Sequence, residues 1–447
     1  MIGFETIGNA TVTAFDDSKP IISTDPWVYG NPYFGSWGHK YNIPSQQIEN
    51  IKNSEFVWLS HGHPDHINPD SLDLIGKSKI LIADHYGDRI INDLRKNNFN
   101  CIKLESNKWL ELSKNIRVKH FADWNQDTAL LIEFQKKDII LNLNDGMAYG
   151  WTNTIKSILK DYDNRFLLKL INWGDADMLN FYDERGQFII PTNPKSIQVG
   201  SEYSKYMKFW NCNYAIPFSS MHRYVRPDSI HMNEYVTPLN KHYEGFDNSI
   251  GELLPAFIEW DCIKNNYKKI DVDENTDDIV NISDHGDNWS DELNLHDFNK
   301  IEEYFNKFEH LKKNFGFICF KVGGKENFIR YSKKKCGVIF EVPRKSLMDS
   351  IKYEIFDDLL IGNFMKTTLV NINALYPHFS PYVAKYGDNG LSRSKNELDL
   401  YFEYYQVNSI DFWKDMFKFK TENIIRESFS DKSIIFQSAR KIKNFIF

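Results

Sequence analysis

Apolar and polar positions alternate in short runs through the first third of the chain, and this alternation predicts strands rather than helices. Residues 8–15 (GNATVTAF) and 20–25 (PIISTD) read as two strands, and Asp16-Asp17-Ser18-Lys19 between them has the composition of a hairpin connection. A strand at 55–60 (EFVWLS) leads into a polar loop, and 78–83 (SKILIA) is apolar enough for a buried strand. The pattern turns helical over 86–97 (YGDRIINDLRKN), then returns to strand at 116–121, 128–135 and 138–144. A helix at 152–162, a strand at 166–171 and a mixed segment to about 217 follow. Strands joined first by hairpins and then by helices predict an α/β sandwich rather than a simple doubly wound sheet.

The pattern changes between 271 and 292, where Asp271, Asp273, Glu274, Asp277, Asp278, Asp284, Asp287, Asp291 and Glu292 occur without a Lys or Arg. Such a stretch reads as a solvated surface connection. Beyond it come a charged amphipathic helix at 296–313, two or three strands over 316–341 around Gly323-Gly324, and a mostly helical remainder from 344 to 447. Phe356–Phe364 reads as a buried helix with a glycine stop, in which Asp357 and Asp358 require no catalytic explanation. The expected division is a domain at 1–245, an acidic connecting segment at 246–292 and a C-terminal α+β domain at 293–447.

Composition narrows the function classes. The 447 residues carry 54 Lys+Arg against 61 Asp+Glu, a net charge of −7 with no long basic run. Sequence-independent nucleic-acid binding needs clustered cations, so a nucleic-acid partner is not expected and a small-molecule substrate is. The five cysteines (101, 212, 262, 319, 336) are widely spaced and form no Cys-x-x-Cys pair, which points to reduced thiols. No apolar window is long enough for a transmembrane segment and the first residues lack a leader pattern, so a cytoplasmic location is expected. Oligomeric state is left open.

The chemistry is concentrated in Ser60-His61-Gly62-His63-Pro64-Asp65-His66, directly after the strand at 55–59. Crowded imidazoles repel once protonated, whereas a metal ion removes that conflict. Neutral imidazole and carboxylate suit Zn, Fe and Mn alike.

This His-x-His-x-Asp-His run resembles the motif of the metallo-β-lactamase superfamily. The resemblance implies a four-layer αββα metallo-β-lactamase sandwich, and two divalent metal ions held by His61, His63, Asp65, His66 and further ligands at later strand ends. In chain order these would be His120, a bridging Asp145 and His222, with His231 and His242 as alternatives to the last. Asp25 matches the superfamily's early Asp, which supports the metal loop, and Asp123 or Asp127 would orient imidazoles. Asp25-Pro26-Trp27 with Gly30, Phe34, Gly35 and Trp37, the strands around Asp127-Thr128-Ala129 and Asn142–Asp145, and Pro217-Phe218 with Pro227-Asp228 look like the catalytic half of CMP-N-acetylneuraminate hydroxylase. More distantly they are similar to the ascorbate-6-phosphate lactonase and N-acylphosphatidylethanolamine phospholipase D branch. The likeness covers about residues 1–245. It departs from the hydroxylase in two ways: no cysteine lies in a Rieske pattern, so no iron–sulfur cluster is expected in this chain, and His222 restores a full two-metal set.

Residues 27–41 (WVYGNPYFGSWGHKY) hold two Trp, three Tyr and one Phe, which makes Trp37 and His39 candidates for a substrate wall against the alternative of aromatic packing. Arg223 and Arg226 are candidate clamps for a phosphate or carboxylate, unless they pair with Asp228 or Glu234. Two reactions fit. One is hydrolysis of a small anionic ester, lactone, amide or phosphodiester, with Asp65 carrying a proton to the leaving group. The other is diiron oxygenation, which would need a redox partner.

Overall fold

The computed structural model describes residues 1–171, 178–191 and 198–428. Among these, the first half of the chain builds two facing sheets. The eight-stranded sheet runs in space Asn266–Lys269, Ile258–Asp261, Gly3–Ile7, Thr11–Asp16, Lys19–Thr24, Phe56–Leu59, Lys79–Ile82 and Cys101–Lys103. Its first five strands are antiparallel and its last four, from Lys19–Thr24 onward, are parallel. The seven-stranded sheet runs Glu252–Leu253, Tyr214–Pro217, Asn164–Lys169, Asp138–Asn144, Thr128–Phe134, Ile116–Ala122 and Leu110–Glu111, with parallel pairing from Asp138–Asn144 outward.

Side-chain alternation then decides the layers. Phe56 and Trp58 join Leu130, Ile132, Ile140 and Phe166 in the core between the sheets. Val57 and Leu59 face the other way and pack with Ile51 of helix Ser45–Lys52 and Ile91 and Leu94 of helix Arg89–Lys96. On the far side, Leu131, Ile139 and Leu141 pack against helices Thr152–Leu159 and Val199–Trp210. The order is helix, sheet, sheet, helix, and both sheets are buried on both faces.

A third sheet and its helices form the C-terminal α+β domain. Its strands lie in the order Phe181–Tyr182, Lys366–Val370, Gly337–Glu341, Phe317–Val322 and Lys325–Arg330. They share a separate core with helices Leu295–Asn306, Glu309–Asn314, Arg344–Tyr353 and Phe356–Ile361. A π-helical stretch at Pro381–Asn389 and helices Lys395–Asn408 and Phe412–Ser428 follow. The part of the expected helical end beyond 428 lies outside the described residues.

Three departures from the expected elements have physical causes. Strand Gly3–Ile7 went unread because Glu5 and Thr6 are buried with Phe4 and Ile7, so no alternation marks it. Lys366–Val370 interrupts the helical tail, its β-branched Thr367 and Thr368 pairing with Phe340 and Ile339. The sandwich also continues past residue 245: Ile258–Asp261 pairs with Gly3–Ile7 inside the span read as a connector. Within the acidic stretch Asp287 is buried and ion-paired to Arg226 at 2.8 Å, so part of that stretch packs against the protein. Among the described residues no helix is long and apolar enough to cross a membrane.

Candidate metal centre

The site lies where parallel strands end. Asp25 follows Lys19–Thr24, the loop 60–66 follows Phe56–Leu59, Asn144 and Asp145 end Asp138–Asn144, and His222 follows Tyr214–Pro217 across a short loop. Carboxyl ends of parallel strands are where α/β folds place ligands. Asp25, Asn144 and Tyr33, all non-glycine residues touching this site, have left-handed φ values of 40°, 51° and 55°. Such backbone is retained where the surroundings fix it.

Each histidine of the loop has one ring nitrogen held by the protein and the other directed at its neighbours. His61 Nδ1 meets Ser60 Oγ at 2.9 Å, and its Nε2 lies 2.8 Å from His63 Nδ1. His63 Nε2 meets Asp357 Oδ2 at 3.0 Å. His66 Nδ1 contacts Asp25 Oδ2 at 3.3 Å, while its Nε2 lies 3.2 Å from Asp65 Oδ2 and 3.6 Å from Asp145 Oδ2. Donor atoms of His61, His63 and Asp145 all fall within 4.8 Å of one another. Nitrogens and carboxylates aimed at one small space repel unless a cation or proton sits among them, so the donor set fits a metal ion.

The carboxylates are held as firmly. Asp65 accepts from Tyr33 OH at 2.5 Å on one oxygen and from Asn9 Nδ2 at 2.9 Å on the other. Asp25 accepts from Ser60 N at 2.8 Å and Asn144 Nδ2 at 2.6 Å. Asp145 accepts from Ser219 Oγ at 2.8 Å. Protonation follows this electrostatics. Burial opposes a charge on His66, yet Asp65, Asp25 and Asp145 lift its pKa well above the ordinary range. Burial also opposes a charge on His63, but the bonded Asp357, with Asp358 and Asp65, raises it to about 9. His61 is pushed down to about 3 by burial and by its two histidine neighbours. Despite burial, His66 and His61 hold the Asp145 carboxyl well below its usual value.

The other candidates divide. His222 is fully buried, stacked on Trp37 with centroids 3.4 Å apart, and its pKa, driven to about 3 by burial, is also raised by Asp65 and Asp145. Neither His231, which feels Asp228 and Lys366, nor His242, which feels the Thr237 backbone and Lys40, is influenced by Asp65 or Asp145 as His222 is. His120 contacts the Asp84 amide at 3.4 Å and Ser106 Oγ at 3.3 Å, with His85 and Asp84 as its titratable neighbours. The structure does not bring it into the cluster.

Asp127 faces His61, His63 and Asp145 electrostatically and lies 3.6 Å from Lys385 Nζ. A Cβ on Gly146 would come within 3.0 Å of the Asp127 Cβ, which places Asp127 against the turn that carries Asp145. Trp37 and His39 are inside the protein: Trp37 lies under His222, and His39 stacks on Trp27 at 4.0 Å. Arg226 is fully buried, paired to Asp228 and Asp287 at 2.8 Å each and set over the Phe364 ring, so it ties segments together rather than facing a substrate. Arg223 reaches the Asp278 carbonyl at 3.2 Å and lines a cavity of about 230 Å³ with His222, Lys40 and Glu274.

Sequence reasoning missed the groups from the far end of the chain. Asp357 and Asp358 on helix Phe356–Ile361 both act on His63, and burial together with Asp357 lifts Asp358 to about 8. Lys385, from the π-helical stretch, meets Asp127, and Asn389 lies 3.5 Å from where a Cβ on Gly62 would be. Π-helical turns recur at functional sites, but no local pattern in 381–389 announces one.

The described residues thus form an αββα sandwich with a histidine–aspartate cluster, able to hold a metal ion, at the strand ends. In sequence the chain is 26% identical over 136 residues to the cytidine monophosphate-N-acetylneuraminic acid hydroxylase of Asterias rubens, across 28% of this chain and 20% of that protein. It is 23% identical over 127 residues to the Cricetulus griseus enzyme of that name, across 26% of this chain and 22% of the relative. The matched stretch thus spans about a fifth of the curated relatives' length. Among solved structures it resembles an isothiocyanate hydrolase from Delia radicum gut bacteria, at 13% identity and a TM-score of 0.35, covering 57% of this chain and 96% of that one. So loose an overlap adds nothing to the strand order described above. No family model matches the chain.

Proposed function

We propose that the chain is a metal-dependent hydrolase acting on a small anionic ester, lactone, amide or phosphodiester. The observation that carries this reading is the convergence of His61, His63 and Asp145 donor atoms within 4.8 Å, each histidine held from behind. His61, His63 and Asp127 would hold one divalent cation, Asp65, His66 and His222 the other, with Asp145 between them. Bound there, two such cations would bring the pKa of a water toward neutrality and polarise the substrate oxygen under attack.

The chain's own residues do the rest. Tyr33, Asn9 and His66 occupy both oxygens of Asp65, which fits a ligand kept in place better than a carrier that releases a proton. Lys385, with its side chain one-third exposed, is the cation beside Asp127, and it takes the substrate-anion role that the sequence offered to Arg223 and Arg226. Burial opposes its charge, but Asp127, Asp123 and Asp357 keep its pKa raised, so it remains an ammonium at neutral pH.

A second reading, diiron oxygenation, draws on the 26% identity over 136 residues to a hydroxylase, and carboxylate donors such as Asp65 and Asp145 suit iron and manganese as well as zinc. Metal analysis of the protein as isolated, followed by chelation, reloading with Zn, Fe or Mn and assay on esters, lactones and phosphodiesters, decides between them. Hydrolysis restored by metal without oxygen uptake is the expected result. Oxygen consumption by the iron form alone would transfer the assignment to the second reading, and equal activity in stripped and loaded protein would overturn both.

A further inference from the structure

One carboxylate near the cluster stands out by its origin. Helix Phe356–Ile361 is buried along its whole length and belongs to the C-terminal core through Phe356, Leu359 and Leu360. An acid in such a helix is unfavourable unless it has a partner. Asp357 Oδ2 has His63 Nε2 at 3.0 Å, and its Oδ1 is buried with no hydrogen-bond partner among the described residues.

The helix is also fastened to the sandwich. Ser36 Oγ donates to the Gly362 carbonyl at 2.5 Å, Asn363 Nδ2 donates to Tyr224 OH at 2.8 Å, and Arg226 lies over the Phe364 ring at 3.9 Å. Asp357 therefore sits at a fixed point relative to the loop 60–66. By accepting from His63 Nε2–H it leaves the lone pair on Nδ1, the nitrogen that faces His61 Nε2 at 2.8 Å.

We propose that Asp357 is a positioning residue for the metal centre, through which the C-terminal domain sets the metal affinity of the His61–His63 half while supplying no ligand to it. This rests on the metal-centre reading above. Asp25 has the equivalent place behind His66, so each half of the centre has its own carboxylate at its back, one from the sandwich and one from the C-terminal domain.

The test is zinc titration of the full chain, stripped of metal, against a competing chelator. Asp357→Ala should weaken one of two sites about 10–100-fold and leave the other unchanged. Asp357→Asn keeps the side-chain volume and an acceptor for Nε2–H, so it should fall between that variant and the parent, and it serves if the alanine variant does not fold. A purely structural contact would weaken both sites together or neither, and either outcome overturns the proposal. His63→Ala is the control. If it loses one site while both Asp357 variants bind as the parent does, the proposal alone falls. If it too binds as the parent does, the metal-centre reading falls and takes the proposal with it.

Discussion

The two halves of the candidate centre are built differently. Around Asp65 and His66 every supporting group comes from the sandwich: Asn9, Asp25, Tyr33, Ser60 and Asn144, all within the first 144 residues and all buried. Around His63 the support crosses 294 residues of sequence to Asp357, and the imidazole and the carboxylate are 18% and 12% exposed. The same device, a carboxylate behind an imidazole, is thus placed once in a rigid, dry setting and once at a wetter contact between domains. The polar supports of the first half all lie within the sandwich, whereas the second takes its carboxylate from the C-terminal domain.

Removing the carboxylate on the dry side should cost most. Asp25→Ala leaves Ser60 N without its acceptor and the buried His66 without the carboxylate behind it, and urea unfolding of metal-stripped protein should show a loss of about 3–5 kcal/mol. A loss below about 1 kcal/mol would erase the contrast between the halves.

Glu5 sharpens the sandwich side of the comparison away from the metals. Burial lifts its pKa from 4.5 to about 7, against hydrogen bonds from Asn50 and Gln47. The unfolded chain then ionises at lower pH than the folded one, so stability falls as pH rises from about 4.5 to about 7 and levels off above that. Glu5→Gln should remove this slope and leave the variant about 3 kcal/mol more stable at pH 8 than the parent. Unfolding curves at pH 5 and pH 8 check it, and an unchanged slope would mean that Glu5 titrates normally.

Lys385→Ala addresses the wet side. If Lys385 meets the substrate anion as proposed, its loss should raise KM for an anionic substrate about tenfold, equivalent to about 1.4 kcal/mol, with kcat little changed. A fall in kcat at constant KM would place Lys385 in the chemistry instead. Asp357→Ala should move stability less than Asp25→Ala, because the His63 ring it leaves is 18% exposed and water can reach it. Its effect belongs in metal affinity, and a stability loss matching that of Asp25→Ala would make the two halves alike.

What could be read from the sequence follows the same divide. His61, His63, Asp65 and His66 announce themselves because four metal-competent side chains within six residues have few other uses, and the place of Asp145 at a strand end puts it beside His61 and His63. Asp25 was legible as a support of the loop, though its bond to Asn144 was not. His120 was placed by the order of strand ends, which cannot tell that its ring turns toward Asp84 and Ser106, and Asp127, read as an orienting group, sits against Gly146. The aromatic loop was visible, but its use was not: its rings stack on His222 and His39 inside the protein. Asp357 and Lys385 could not be found locally, since only the packing of a separate core brings them to the loop.

Phe181–Tyr182 lies in the chain between two strands of the sandwich, yet it pairs with Thr367–Thr368 at the edge of the C-terminal sheet. During synthesis this short strand emerges long before the segment that will receive it. The receiving sheet can be completed only after nearly the whole protein has been made, a long-range closure of the kind that slows folding. It follows that no single cut, at residue 292 or elsewhere in the acidic stretch, divides the protein into two intact pieces. The C-terminal fragment would lack the edge strand that the N-terminal one carries.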